Sequence, residues 1–514
     1  MHLPPNVATP AHPDRSLLRA ALLVAVAALL PGTVAARPLA GPAAALPGAQ
    51  AATATLAGTV VDSDLAAPLA GVRVELVGSG TSALTDAAGA FTFDAVAPGT
   101  YALAFTYDGY VRQVRDGVVV GSDAPGLVEV ALEPAPLVDA PAEPWQLRLL
   151  DLAYGAASAM PLEPHVKNRS RAQERVVTAA LELELWATAE RYADGIANWR
   201  RGACYADLAY ALLPTEHDGH VLRVMDRAVG IWKEMPVTEA QSWRRDRIGT
   251  KVARLMVAVG DVGAAKSFSE GADESELGRV FSELATRMEP EQLEAFVAET
   301  EEVVRVGVFE VVSAQLAIAA ELHARFFEDP EARALLEATI RGSWDNLPVQ
   351  LRLELMQTLC GNAVDQGDLE EARRLLDDTQ ELHAGFTWRF ARYELPNLAA
   401  LAALRHDAGQ SDLAADLIDR GVARFDADEE QIVNIYRAGA LRGLAEAAAR
   451  LGDRDRALGL YARCLELGQV NPNSRPRADD LADTLASMAR HGVAPTPALL
   501  GRAVELHDGL GDPW

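Results

Sequence analysis

The amino-acid sequence predicts a two-part protein, a small all-β sandwich of about seven strands followed by an all-α solenoid of helical hairpins. Three observations predict this division. Apolar residues alternate with a period of two in residues 55–133, which is typical of strands. Residues 134–144 contain four prolines and are predicted to form a stiff, extended linker. In residues 145–514 the apolar period becomes about 3.6, which is typical of amphipathic helices.

Length and charge set the first limits on function. A chain of 514 residues is too long for one ordinary hydrophobic core, so more than one domain is expected. It carries 73 acidic and 47 basic residues, which gives a formal net charge of −26. Such acidity opposes binding to nucleic acid and to anionic lipid, and it suits basic partners. Aromatic residues make up 6% of the chain, which disfavours wide aromatic-lined carbohydrate grooves.

The start of the chain has the pattern of a secretory signal peptide, which we assign to residues 1–36. Arg15 and Arg19 precede an apolar run, Ala20–Leu30, and small residues suited to cleavage follow it. The run has 11 residues, whereas a membrane-spanning helix needs about 20. The pattern predicts an exported protein (periplasmic, cell-surface or extracellular) without an integral membrane segment after cleavage. A retained anchor is the alternative, and a flexible leader is expected at residues 37–54.

Six segments of the first domain have strand-like composition and are separated by turn residues such as Asp-Gly and Pro-Gly. Six or seven short strands in about 80 residues predict a β-sandwich. The segments are Thr59–Val61, Val72–Val77, Phe91–Phe93, Tyr101–Phe105, Val118–Val120 and Val128–Leu132.

Four short motifs in this domain follow one another in a recognisable order. They are Gly58-x-Val60-x-Asp62, Pro68-Leu69-Ala70-Gly71-Val72-x-Val74, Thr85-Asp86-x-x-Gly89-x-Phe91-x-Phe93 and Val96-x-Pro98-Gly99-x-Tyr101. Residues 55–133 resemble the carboxypeptidase regulatory-like domain on these motifs. The resemblance implies a transthyretin-like sandwich of seven strands, in which the motif residues are structural and not catalytic.

The chemistry of the motif residues agrees with a structural role. Asp86 is expected to accept hydrogen bonds from backbone groups of a tight turn, and Gly89 to adopt a positive φ there. Phe91 and Phe93 are two residues apart, so both side chains face the same side of a strand and fill the core. Tyr101 is expected to pack beside the Pro-Gly turn that precedes it.

Two alternatives would make the β module a ligand site. Asp62, Asp64 and Asp86 could hold a calcium ion, although hard cations take six or more oxygen ligands and no dense acidic loop is present. Tyr107 and Tyr110 could stack on a glycan and so attach the protein to carbohydrate or cell wall.

Four glycines mark an internal repeat in the helical region. Each has an apolar residue eight positions before it, Ala five positions after it, and a small or modest residue twelve positions after it. This pattern predicts a turn between two helices that approach each other closely. The glycines are Gly260, Gly367, Gly409 and Gly452.

The clearest copy of the repeat runs from Leu444 to Cys464 around the turn Gly452-Asp453. It resembles a tetratricopeptide repeat, and Gly367–Ala372 matches the same inter-helix turn. The spacing from Gly409 to Gly452 is 43 residues, which departs from the usual 34 of that family. The resemblance implies a degenerate tetratricopeptide-like array with an extended concave face, a surface commonly used to bind proteins or peptides.

Aromatic-Arg pairs recur at about one repeat length, beginning at Trp199 and Trp243, with further copies expected at Trp388 and Tyr436. They could form cation–π platforms in a groove. Their recurrence favours a packing role, because equivalent positions of a repeat usually do equivalent structural work.

No motif for catalysis or for a cofactor is present, so none of either is predicted. The densest group of metal-ligand types is Glu216-His217-Asp218-Gly219-His220 in a predicted loop. His217 and His220 could share a metal ion, but loops collect polar residues anyway and a third, distant ligand is missing.

Three cysteines remain in the mature chain, and an odd number cannot all pair internally. We interpret them as thiols that fill small packing positions. They are Cys204, Cys360 and Cys464.

These observations predict a non-enzymatic interaction or scaffold protein, in which the helical repeat binds a protein or peptide and the β module is structural or adhesive. One alternative is glycan or cell-wall binding through the β module. The other is a polysaccharide-acting enzyme built on a closed α/α toroid, whose site would need facing carboxylates and aromatic residues in one cavity.

Overall fold

The computed structural model describes residues 54–121, 126–215, 218–236, 242–344 and 347–514. The predicted signal peptide, and all of the predicted leader but its last residue, lie outside the described residues. The predicted fold class is confirmed, since seven strands in two sheets are followed by an all-α region. No helix in the described part of the chain has the length and apolar character to cross a membrane.

Seven strands form the β module. One sheet has the order β4-β1-β7, with β1 antiparallel to β4 and parallel to β7. The other has the order β3-β2-β5-β6 and is antiparallel throughout. The strands are β1 Ala54–Asp62, β2 Arg73–Leu76, β3 Thr81–Leu84, β4 Ala90–Val96, β5 Gly99–Thr106, β6 Gln113–Val120 and β7 Gly126–Leu132.

The core of the β module lies between these two sheets. Phe91 sits at its centre, with its ring 6.0 Å from that of Phe93 and 5.9 Å from that of Phe105, both edge-to-face. The alternation predicted for this strand is therefore present, because both phenylalanines of β4 are buried on one face.

The turn before β4 has the predicted chemistry. One carboxylate oxygen of Asp86 accepts from the backbone N–H groups of Ala88 and Ala90, each at 2.9 Å. Gly89 has a φ of +70°, and a Cβ there would overlap the carbonyl oxygen of Val60. Only glycine meets both conditions without strain.

The helical region contains 19 α-helices in the described residues. In chain order they are α1 Pro144–Ala159, α2 Leu162–Glu182, α3 Trp186–Asp194, α4 Arg200–Leu212, α5 Asp218–Glu234, α6 Ser242–Ala258, α7 Val262–Ser269, α8 Glu274–Ala285, α9 Leu293–Val306, α10 Phe309–Arg325, α11 Pro330–Gly342, α12 Val349–Asp365, α13 Leu369–Ala384, α14 Ala391–Asp407, α15 Ser411–Asp428, α16 Asn434–Arg450, α17 Arg454–Gly468, α18 Ser474–Arg490 and α19 Pro497–Asp508.

The chain divides into two compact units. One contains Leu277–Phe386, in which α10 packs on α11 and α12, and α12 packs on α13. The other contains the β module, the helices up to Glu276, and Thr387–Trp514. In this second unit the hairpins α14–α15 and α16–α17 stand side by side, since α14 also packs on α16 and α16 on α18.

The repeat read from the sequence corresponds to equivalent places in the structure. Gly260, Gly367, Gly409 and Gly452 all have a positive φ, between +75° and +91°, and each ends a helix. The apolar, Ala and small positions around them are all buried. A Cβ on Gly421, one of the small positions, would overlap the side chain of Leu444, so these helices pack too closely for a larger residue there.

Three of the four repeat turns continue into a capped helix. The side chains of Asp261, Asp368 and Asp453 each accept from the backbone N–H three residues later, at 2.8, 3.0 and 3.2 Å. The fourth turn has Gln410, whose side chain makes no such capping bond. Aspartate directly after the glycine thus satisfies one of the free N–H groups at the start of the next helix.

Residues distant in sequence meet where α18 packs on α1 and α2. Arg175 of α2 pairs with Asp483 at 2.6 Å and with Asp479 at 3.1 Å, both on α18. Gln146 of α1 donates to the carbonyl of Ala489 at 3.1 Å. The first and last hairpins of the helical region therefore bury each other's faces. An array that contacts only sequence neighbours would leave these faces exposed.

Candidate functional site

The candidate site is a groove of about 480 Å³ between three helices of the second unit, α14, α16 and α18. Small residues let these helices approach closely, since a Cβ on Gly443 of α16 would lie 3.3 Å from that of Ala399 on α14. Gly439 and Ala440 line the groove, which leaves room between the larger side chains around them.

One part of the groove is aromatic. Tyr393 of α14 and Tyr436 of α16 are 49% and 46% exposed, and Ile435 beside them is 39% exposed. The guanidinium of Arg392 lies 4.4 Å from the ring centre of Tyr393 and 5.1 Å from that of Tyr436. The cation therefore bridges the two rings, and the three side chains form one continuous surface, which we call the tyrosine platform.

Local backbone chemistry positions Tyr393. Pro396 lies inside α14, where it has no N–H to offer to the preceding turn of the helix. Asn397 is buried, and its side-chain amide donates to the carbonyl of Tyr393 at 2.8 Å. This side-chain bond ties the buried Asn397 to the backbone of Tyr393 one turn earlier.

The part of the groove formed by α18 is acidic. Asp480 and Asp483 line it together with Arg442 of α16, whose guanidinium lies 3.6 Å from a carboxylate oxygen of Asp483. Asp483 also pairs with Arg175, as does Asp479 outside the groove. Two arginines thus hold the carboxylates of Asp479 and Asp483.

Asp480 differs from these neighbours. Burial, helped by the charges of Asp483 and Asp479 and opposed by that of Arg442, raises the pKa of its carboxyl to about 7. Its Cβ packs against Gly468 of α17, where an added Cβ would lie 2.9 Å away. The groove therefore contains a carboxyl group that is half protonated near neutral pH.

Of the two predicted metal candidates, the structure describes only His220. His217 lies outside the described residues. His220 is buried at the start of α5, and a Cβ on Gly109 of the β module would lie 2.6 Å from its backbone nitrogen. Within the described ranges, no group of three or more His, Cys, Asp or Glu side chains is placed to hold a metal ion.

The calcium alternative in the β module is not supported by the positions of its aspartates. Asp62 is 1% exposed and accepts from the N–H groups of Asp64 and Leu65 at 2.7 and 2.8 Å. Asp86 is used by the turn before β4. Both carboxylates therefore stabilise turns of the fold.

The expectation that Tyr110 could stack on a glycan is wrong. The ring is buried, and its hydroxyl donates to Asp62 at 2.6 Å. Burial and this contact raise the pKa of the phenol. Tyr107 is half-buried with its ring 5.4 Å from that of Tyr110, so the pair belongs to the domain's own packing.

The aromatic residues of these pairs make contacts within the fold. The rings of Trp199 and Trp243 meet edge-to-face at 5.3 Å. Arg200 lies 4.7 Å from the ring of Trp199, and Arg244 lies 5.4 Å from that of Trp243. The carbonyl of Trp388 accepts from Arg424 at 3.3 Å. These contacts agree with the packing role that recurrence favours.

The three cysteines, Cys204, Cys360 and Cys464, are buried and are not joined in disulfides. Burial raises the pKa of the thiols of Cys204 and Cys464, so neither has the thiolate character of a nucleophile. Both are in positions that suit a small apolar side chain.

The β module lies directly against the helical region. A Cβ on Gly219 of α5 would overlap the carbonyl oxygen of Asp108, in the turn that precedes the buried Tyr110. Two glycine backbones, those of Gly109 and Gly219, therefore meet without a side chain between them.

The proline-rich linker is bonded on both sides. Ala135 donates its N–H to the carbonyl of Gly109 at 2.8 Å. The Asp139 carboxylate accepts from the N–H and the hydroxyl of Thr188 in α3, at 2.9 and 2.7 Å. The linker thus caps a helix of the region it leads to.

Sequence reasoning missed Tyr393 and Asp480. A usable signal existed for the tyrosine, because Tyr393 and Tyr436 are 43 residues apart, which is the spacing of Gly409 and Gly452. Asp480 offered none, because it stands among other aspartates in Asp479-Asp480-Leu481-Ala482-Asp483. The raised pKa of Asp480 arises from the residues that pack around it.

Comparison with known proteins identifies the β module. Residues 55–133 match the family model of the carboxypeptidase regulatory-like domain. The search of curated proteins gave no match.

Among solved structures, one match is an N-terminal interface mutant of a type II cohesin–X-dockerin complex from Acetivibrio cellulolyticus. The identity is 32%, over 15% of this chain and 52% of that chain, with a TM-score of 0.13. This chain thus spans about half the length of that protein. A C-terminal interface mutant of the same complex matches with 23% identity over 20% and 73% of the two chains, at a TM-score of 0.15.

A circular tandem repeat protein with a novel repeat topology also matches. The match covers 71% of this chain and 94% of the repeat protein, with 16% identity and a TM-score of 0.23. TM-scores this low do not establish a shared fold for any of the three structures.

Proposed function

We propose that this is an exported, non-enzymatic interaction protein whose helical region binds a peptide segment of a partner in the groove between α14, α16 and α18. The observation that carries the proposal is the tyrosine platform, which combines two half-exposed rings with a bridging guanidinium inside a groove. Tyrosine and arginine are enriched among the few residues that dominate the binding energy of protein interfaces.

The arrangement of the helices supports the same proposal. Hairpins with buried small positions and a positive-φ glycine turn suit a degenerate tetratricopeptide-like array. In such an array the first helices of consecutive hairpins stand side by side, and here α14, α16 and α18 do so. Exposed side chains on adjacent helices can then contact successive residues of one extended peptide.

The β module has a supporting part in this proposal. Its motif residues fill its own core and turns, and its contact with α5 is made by backbone against backbone. A module seated in this way stabilises the start of the helical region.

Selection of peptides from a displayed random library on the purified protein tests the proposal. The selected peptides should lose most of their affinity for a Tyr393→Ala/Tyr436→Ala variant, measured by fluorescence anisotropy. A Leu413→Ala/Val470→Ala variant, which truncates two exposed residues that do not line the groove, should bind normally. Recovery of no peptide, or equal binding by the tyrosine variant, would reject a peptide-binding groove.

A second candidate is a hydrolase that acts on polysaccharide, favoured by the raised pKa of Asp480 beside Asp483. A carboxylic acid protonated near pH 7 could donate a proton to a leaving group. Release of reducing sugar from soluble polysaccharides that disappears in Asp480→Asn would favour this enzyme over the peptide-binding protein.

A further inference from the structure

We infer that the groove selects peptides that carry a cationic side chain, lysine or arginine, and that Asp480 is the group that receives it. The inference rests on the proposed peptide-binding function and specifies the chemistry of the partner. It follows from which charged groups of the groove already form ion pairs or cation–π contacts within the protein.

The charged groups in and around the acidic part of the groove are largely paired. Arg175 holds Asp479 and Asp483, at 3.1 and 2.6 Å. Arg442 lies 3.6 Å from the second oxygen of Asp483 and 4.0 Å from Glu446 on its own helix. Each of these two arginines is therefore shared between two carboxylates.

The other cation of the groove is Arg392, and it belongs to the tyrosine platform. Its guanidinium lies over both rings and donates to the hydroxyl of Tyr393. Its role there is to hold the two rings together, which makes it part of the surface that a peptide would cover.

Asp480 is the lining carboxyl whose burial is least compensated. Asp480 forms no ion pair within the described residues, whereas Asp483, which also lines the groove, is paired with Arg175 and Arg442. Burial raises the pKa of Asp480 to about 7, in keeping with the lack of a paired cation. A lysine or arginine side chain of a peptide would bring the missing charge, and its aliphatic stem would lie along the tyrosine platform. Binding would then convert an unfavourable carboxylate into one side of a charge-assisted hydrogen bond.

The charge of the whole chain favours the same partner. With a formal net charge of −26, the protein attracts basic segments and repels acidic ones before any specific contact forms. A basic peptide therefore complements both the protein as a whole and the one lining carboxyl that its own cations leave poorly compensated.

Three pools of short fluorescent peptides test the inference. Each pool has degenerate positions around one fixed central residue, which is Lys, norleucine or Glu. Norleucine keeps the aliphatic stem and removes the charge. On the unmodified protein we expect the Lys pool to bind about tenfold more tightly than the norleucine pool. We expect the Glu pool to bind least.

Variants separate this inference from the function on which it rests. Asp480→Asn should bind the Lys and norleucine pools alike, whereas Asp416→Asn, at an exposed site on α15, should keep the full preference. The variant Tyr393→Ala/Tyr436→Ala should bind every pool weakly. Equal binding of Lys and norleucine pools by the unmodified protein, or a Lys preference that survives in Asp480→Asn, overturns the inference and leaves peptide binding intact. Failure of every pool, with binding of oligosaccharides in their place, overturns both.

Discussion

The β module and the groove differ in what their polar and aromatic side chains do, because those of the module are buried in its fold and those of the groove remain partly open to solvent. In the β module, Asp62 and Thr85 are buried and hydrogen-bonded within the fold, Thr85 to the carbonyl of Leu69 at 2.5 Å. In the groove, Tyr393 and Tyr436 remain half exposed, and Asp480 carries a raised pKa. The motifs that stand out in the sequence thus maintain the fold of the β module, while the side chains that we propose to contact a partner lie in a less distinctive repeat.

The comparison is tested most strongly by truncating one aromatic ring in each region. Phe91→Ala should lower the free energy of unfolding by about 3–5 kcal/mol, because the ring is central to the core. Tyr436→Ala should lower it by less than about 1 kcal/mol, because nearly half of the side chain is in solvent. Denaturant unfolding of both full-length variants measures this. Similar losses for the two would remove the distinction between core and binding surface.

A second test concerns how firmly the β module is seated. Gly219→Ala should lower the free energy of unfolding by about 2–3 kcal/mol, because the new Cβ overlaps the carbonyl of Asp108. On the same helix, Gly230 has open space where a Cβ would stand, so Gly230→Ala should stabilise by about 0.5–1 kcal/mol. Limited proteolysis at the linker should increase only in Gly219→Ala. An unchanged cleavage rate there would show that the contact does not hold the module.

A third test uses pH to set Asp480 apart. The folded pKa is raised to about 7, so its contribution to stability is full below the unfolded pKa and is lost as pH rises through 7. Replacing it by Asn removes that loss. Asp480→Asn should therefore gain about 2 kcal/mol relative to the unmodified protein between pH 5.5 and pH 8. The exposed-site variant Asp416→Asn should show no such trend, and a flat difference for Asp480→Asn would contradict the shift.

The smallest expected effect lies in the repeat turns. Asp453→Ala removes a cap that accepts from the N–H of Arg456, and should cost about 1 kcal/mol. Asp453→Asn keeps a side-chain oxygen that can accept the same bond and should be nearly neutral. Thermal denaturation of the two variants compares them directly. Equal shifts in Tm would mean that the cap does not stabilise α17.

Local patterns allowed most of the fold to be predicted. A two-residue period and the Asp86–Gly89 turn determine a strand and its entry, and a glycine after an apolar helix determines where a hairpin turns. Strand β3 was not predicted, because three of its four residues are exposed and its sequence has no alternation of buried and exposed residues. These features depend only on neighbours in the chain, which is why sequence alone revealed them.

The candidate site could not be predicted in the same way. Periodicity shows that one face of α18 is buried, and says nothing about which helix covers it. The pairing of Arg175 with Asp483 joins residues 308 positions apart. The pKa of Asp480 depends on that pairing and on Arg442, so its chemistry appears only once the three helices are assembled.

The packing of α18 on α1 and α2 also has a consequence for biosynthesis. A ribosome that has completed α1 and α2 must add about three hundred residues before α18 exists to cover them. Contacts of such high sequence separation slow folding. Until α18 is synthesised, the apolar surface of α1 and α2 that it covers stays exposed on the nascent chain. We therefore expect chaperones to bind the first hairpin during synthesis. A chain that terminates before residue 474 should keep this apolar surface exposed and be degraded faster than the full chain.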